Sequence, residues 1–138
     1  MTIDRLYPLV TDAIMRADVL EDLGAPGAAE AQLDVSHLEE QIADLLPASD
    51  PEGAIARRGA VRAAGKANDH ARVRSLADQY LADPDAGQEL RDQIAKILAD
   101  TEDPIGAHHP RAVARIGADR LRRFARRLAG QGSPLPIG

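Results

Sequence analysis

Apolar residues recur every three or four positions along most of this chain, and the breaks fall at glycines, prolines and Asp-Pro pairs. Ile3, Leu6, Val10, Ile14 (with Ala13 as the alternative), Ala17 and Leu20 form one stripe of a helix expected over residues 3–23. Pro8 falls within this pattern, in the first turns that tolerate it, and Thr2 is the expected start, its hydroxyl serving as cap. Gly24-Ala-Pro-Gly27 ends the helix. A second is expected over residues 26–46, with a heptad seam of Ala28, Ala31, Val35, Leu38, Ile42 and Leu45. Its outer face carries Glu30, Asp34, Glu39, Glu40 and Asp44 and no basic residue.

Pro47 to Pro51 reads as a linker, and Asp50-Pro51 supplies an N-cap followed by a first helical proline. The same punctuation returns at Asp83-Pro84 and Asp103-Pro104. The third helix is expected over residues 51–66, with Ile55, Gly59 and Ala63 inward and Gly59 allowing close approach of a neighbour. Its helix propensity is poor, so it depends on packing. Arg57, Arg58, Arg62 and Lys66 give it a basic side. Asn68-Asp69 is a turn and cap. The fourth helix covers about residues 69–82, with Val73, Leu76, Ala77, Tyr80 and Leu81 inward. The fifth covers about residues 85–100, with Leu90, Ile94, Ile97 and Leu98 inward.

After the longest connection, residues 101–109, Pro110 starts a sixth helix that Gly130 and Gly132 end. Val113, Ile116, Gly117, Leu121, Phe124 and Leu128 make its stripe. Seven arginines flank that stripe, opposed only by Asp119. The expected architecture is all-α: about six helices as three αα-hairpins, in a compact bundle or a short helical-repeat-like array. Gly24, Ala29, Leu33 and Ser36 have the turn-small-large-small spacing of helix-turn-helix repeats of the tetratricopeptide kind. The match covers one hairpin and lacks that family's aromatic positions, so it implies a geometry and no membership. One domain is expected over residues 1–130, followed by an uncharged Gly/Pro-rich tail, residues 131–138, that a partner would have to order.

Composition sharpens this picture. With 138 residues the chain can bury a real core, but it has only three aromatic residues, Tyr7, Tyr80 and Phe124, and no β-branched runs, which favours helix on helix over a sheet. Absence of cysteine removes disulfides, thiolate metal sites and thiol nucleophiles. Neither a signal peptide nor an apolar membrane span is evident, so a cytoplasmic protein is expected. Fifteen arginines against two lysines, with abundant alanine, is a bias common in high-GC bacterial genomes. The net charge of −5 is uneven: residues 1–55 sum to −10, residues 56–102 to zero and residues 103–138 to +5. Such asymmetry bears on partners and self-association.

Chemistry of enzymatic kind finds little support. Asp34-x-x-His37 occurs once, on a polar face, where a di-metal bundle needs several inward carboxylates. His108-His109 lacks further ligands at metal spacing; His109 reads as a helix-start residue and His108 as solvated. No serine lies in a nucleophile elbow, no glycine-rich phosphate loop is present, and the paired carboxylates Glu39-Glu40 and Glu21-Asp22 are expected on exposed faces. No catalytic residue, metal or cofactor is expected. The leading expectation is a non-enzymatic adaptor. Its candidate partner-binding residues are Arg115, Arg120, Leu121, Arg122, Arg123, Phe124, Arg126, Arg127 and Leu128, with the acidic face of the second helix as another contact. The alternatives are a nucleic-acid-associated regulator gripping phosphates through the same arginines, or a self-assembling structural protein whose acidic and basic helices pair between copies.

Overall fold

A computed structural model describes residues 2–102. They form five helices: α1 (Ile3–Asp22), α2 (Ala28–Leu45), α3 (Pro51–Lys66), α4 (His70–Leu81) and α5 (Gln88–Glu102). Within these residues the expected all-helical architecture is present. The sixth helix, its hairpin with the fifth, the domain end at residue 130 and the tail lie outside the described residues.

Local chemistry explains most boundaries. α1 closes in a Schellman motif: Gly24 N–H donates to Glu21 and Ala25 N–H to Leu20, with Gly24 at φ +60°. α3 closes the same way, Asn68 donating to Gly65 and Asp69 to Ala64, with Asn68 taking the left-handed position that asparagine tolerates. The Asp50 carboxylate accepts from Glu52 N–H at 2.8 Å and that of Asp69 from Arg72 N–H at 3.0 Å, capping α3 and α4. Thr2 does precede α1, but its hydroxyl makes no capping bond; Thr2 O instead accepts from Arg5 and Leu6. α5 begins at Gln88, three residues later than expected. Asp83 does not cap it: its carboxylate accepts from Asp85 N–H inside its own turn.

α3 is the centre of the array. It lies against α2, α4 and α5, and its contact with α2 is the most extensive in the fold. Its sequence suits that place, because Gly53, Ala56, Gly59, Ala60, Ala63 and Ala64 are buried and let neighbours approach. α1 runs along α2 at the edge and reaches α3 by side chains. The Tyr7 hydroxyl meets Glu52 at 3.2 Å, and Ala17 packs with Ala31, Val35 and Ala63.

α2, held between α1 and α3, buries a broader arc than a heptad seam. Ala31, Val35 and Ile42 are buried as expected, but so are Gln32, Ser36, Glu39 and Ala43. Leu45 is 49% exposed and Leu38 half-buried. Two further expectations are corrected. Ile55 is only half-buried, while Arg57 from the expected basic side is buried. Glu39 is 3% exposed rather than on a solvated face.

Candidate functional site

The polar side chains of α2 that face α3 are bound into the fold. The Ser36 hydroxyl, fully buried, donates to the Ala60 carbonyl at 2.7 Å and accepts from Arg72 Nε at 2.9 Å. The same guanidinium reaches Glu40 at 2.7 Å. One serine thus ties α2 to α3 and, through Arg72, to α4. Glu39 lies over Gly59: a Cβ built there would stand 2.9 Å from the Glu39 carboxyl carbon and 3.2 Å from its Cγ. The close approach expected of Gly59 is real, and a glutamate side chain fills it. Ser36→Ala should therefore cost about 1–3 kcal/mol, because it removes two hydrogen bonds, one of them from a part-buried guanidinium. Ser75→Ala, at an exposed position of α4, should stay within about 0.5 kcal/mol. Urea unfolding of the two variants checks this, and equal costs would remove the linking role from Ser36.

A second charged group sits where α1 meets α3. Burial raises the Asp18 carboxyl, Glu21 raises it further, Lys66 opposes and Asp22 adds, pushing the pKa up to about 6 from 3.8. Burial also lowers Lys66, outweighing its attraction to Glu21 and Asp18. Glu21 accepts from the buried Gln32 amide at 2.8 Å. Between pH 3.8 and about 6 the folded chain holds the Asp18 proton and the unfolded chain does not. This group's contribution to stability therefore falls as pH rises through that window and is constant above it. Asp18→Asn should raise stability near neutral pH by about 1 kcal/mol, the full shift being discounted for solvent screening. It should change nothing below pH 3.8. Urea midpoints of variant and parent across that range test the sign.

The surface of α1 carries a second set of apolar residues. Leu9, Met15, Val19 and Leu23 are exposed, Val19 at 55% and Leu23 at 72%. Met15, Val19 and Leu23 are four residues apart and form one line along the helix. Leu9 opens onto a groove of about 430 Å³ between α1 and α2, lined also by Asp12, Ala13, Arg16, Asp34, His37, Leu38 and Gln41. Asp12 and Asp34 line the groove with Arg16 as its cation, and Asp22 and Glu30 are exposed on the same two helices. The signal was in the sequence, since α1 carries a second apolar line opposite its core stripe.

Arginines outside the expected sixth helix are mostly engaged. Arg72 holds Glu40 and Ser36, Arg74 pairs with Glu102 at 2.9 Å on the surface, and Arg57 lies under Tyr80 with Cζ 5.6 Å from the ring centroid. The expected partner-binding residues, Arg115, Arg120, Leu121, Arg122, Arg123, Phe124, Arg126, Arg127 and Leu128, lie outside the described residues. Asp34 and His37 share the α1–α2 groove with Asp12. Among the described residues no group of three or more His, Asp or Glu side chains is placed to hold a metal ion, and no helix is long and apolar enough to cross a membrane. Comparison with protein families, with curated proteins and with solved structures finds no match.

Proposed function

We propose that this chain is a non-enzymatic helical interaction module whose α1–α2 face receives a basic amphipathic helix of a partner protein. The observation that carries the reading is the exposed apolar surface of the edge helix, the line of Met15, Val19 and Leu23 together with Leu9, which opens onto the α1–α2 groove. Exposed contiguous apolar surface marks interaction sites, and an apolar line with acids beside it fits an apolar stripe with cations beside it. Glu39 and Glu40 are excluded from the contact face first expected on α2, because one is buried and the other holds Arg72. Of that face Glu30, Asp34 and Asp44 remain exposed; Asp34 lines the α1–α2 groove with Asp12, which brings the contact to the α1 side. The Arg-rich stretch around Phe124 is retained as a second contact element of the same proposal.

The test is calorimetric titration of the full chain with a Leu/Lys amphipathic helical peptide, with a Leu/Glu counterpart as control. Val19→Asp with Leu23→Asp makes the face more acidic while removing its apolar line. Docking on the line requires binding to weaken at least about tenfold in this variant, roughly the 1.4 kcal/mol expected from losing one good apolar anchor. Charge attraction alone requires binding to tighten, and that result would sink the proposal. A light-scattering mass that falls from dimer to monomer in the same variant would instead make a second copy the occupant.

A further inference from the structure

A different site stands where the end of α2 and the 43–47 segment meet α3 and α4. Arg57 is 8% exposed, and the structure gives it no carboxylate within salt-bridge distance among the described residues. One nitrogen, Nη1, donates to Gly53 O of its own helix at 2.9 Å, and the Tyr80 ring lies beside the guanidinium. Among the described residues Arg57 Nε is closed to solvent without a hydrogen-bond partner, and so is the hydroxyl of Tyr80, itself 3% exposed. Buried cations are ordinarily paired, and buried donors ordinarily satisfied. Here, among the described residues, a buried cation without a carboxylate and two donors without partners occur together, and both residues line one pocket of about 370 Å³. The face of Tyr80 offsets part of the cost of Arg57, but a ring offers nothing to Nε or to its own hydroxyl.

The rest of the lining decides the ligand. Asp44 and Asp83 stand at the same pocket with Gln79. A phosphate or sulfate would meet Arg57 but also two carboxylates. A simple cation would meet the carboxylates but also Arg57. A molecule with a carboxylate at one end and a cationic group at the other satisfies both. The guanidinium fork matches a carboxylate bidentately, and the pocket is at the small end for ligand sites, the size for an amino acid or the last residues of a peptide. Burial, with Glu40 and Asp44 nearby, pushes the Tyr80 phenol up, so it remains a donor at neutral pH.

We propose that the pocket lined by Arg57, Tyr80, Asp44 and Asp83 binds a small zwitterion, its carboxylate on Arg57 and the Tyr80 hydroxyl and its cationic group on Asp44 and Asp83. The site is separate from the α1–α2 face, and either proposal can fail alone. The test titrates the full chain, followed by amide NMR shifts, with L-arginine, with agmatine, which lacks the carboxylate, and with the peptide Ala-Ala-Arg as free acid and as C-terminal amide. Saturable binding of L-arginine alone assigns a free amino acid. Binding of the peptide acid and not its amide assigns a chain terminus. Tyr80→Phe removes only a hydroxyl without a partner, so it should leave the free protein as stable as before while weakening binding several-fold. Asp44→Asn, at an exposed position, should do the same. Absence of saturable binding at millimolar concentrations, agmatine equal to arginine, or affinity unchanged in both variants would overturn the assignment.

Discussion

Gly53→Ala should destabilise the fold by about 1–3 kcal/mol, although alanine is the better helix former by about 1 kcal/mol. Gly53 lies in the first turn of α3. A Cβ there would collide with the Pro47 carbonyl oxygen and stand 3.0 Å from the Pro47 carbonyl carbon and 3.1 Å from Arg57 Nη1. Those first two atoms are backbone. They belong to the segment that turns α2 into α3, which is pinned where Asp50 N–H bonds the same Pro47 oxygen at 3.1 Å. Relief of the clash must move the turn or the helix, and the loss from overpacking outweighs the gain in propensity. Gly65→Ala is the matching control in the same helix. Its Cβ would meet Thr101 Oγ1 at 3.6 Å, Val73 Cγ2 at 3.8 Å and Ile97 Cγ2 at 4.0 Å, which is ordinary contact. That variant should gain up to about 1 kcal/mol. Opposite signs in urea unfolding would confirm that steric room, rather than helix propensity, makes Gly53 necessary; equal gains would refute it.

These glycines show what a sequence pattern can and cannot carry. Gly53, Gly59 and Gly65 look alike in sequence, yet one is needed beside backbone, one faces the Glu39 carboxylate, and one has room for a methyl group. The difference belongs to residues distant in sequence, so no local spacing encodes it. Boundaries set by local chemistry were legible: Asp50-Pro51 opened α3 as expected, and Asn68-Asp69 turned it into α4. Asp83-Pro84 carried the same two residues and failed as a cap, because the Asp83 carboxylate was taken by Asp85 N–H in its own turn.

The core face of α1 was legible for a related reason. A helix that lies mainly against one neighbour buries mainly one stripe, and its spacing reports that stripe directly; Tyr7, which turns to Glu52 of α3, is the buried residue outside it. α2 has a neighbour on each side. Its second buried face uses Gln32, Ser36 and Glu39, which a hydrophobicity pattern counts as solvent. Arg57 is buried and not on a solvated basic side for the same reason, since its place under Tyr80 depends on a helix that follows it in the chain. With Glu39 buried and Glu40 holding Arg72, Asp34 and Asp12 are the acids of the α1–α2 groove, and Arg57 gains interest only through its burial.

Arg91→Met should cost about 2–3 kcal/mol and loosen the α4–α5 connection, a large effect for a half-buried polar residue. The guanidinium donates to three backbone carbonyls: Leu81 at 2.6 Å, Asp83 at 2.7 Å and Ala86 at 3.0 Å. One of these is at the end of α4, where carbonyls lack intrahelical donors, and the other two belong to the turn itself. The turn's own backbone supplies Asp83 N–H to Tyr80 and Ala86 N–H to Asp83, so Arg91 adds a second donor to the Asp83 carbonyl and reaches those of Leu81 and Ala86 besides. Arginine is suited to this because its donors spread in a plane, and each bond carries the charge of the donor. Arg91→Lys keeps the charge but concentrates its donors on one nitrogen, and should recover less than half of the loss. Amide exchange gives a second reading that a general loss of stability would not mimic. In Arg91→Met the amides of Asp83 and Ala86 should exchange faster than global unfolding predicts, while Val73 and Ala77 in α4 track the global change. If Arg91→Lys restores full stability, charge at the end of α4 is sufficient and the fork has no special part in holding α5 to α4.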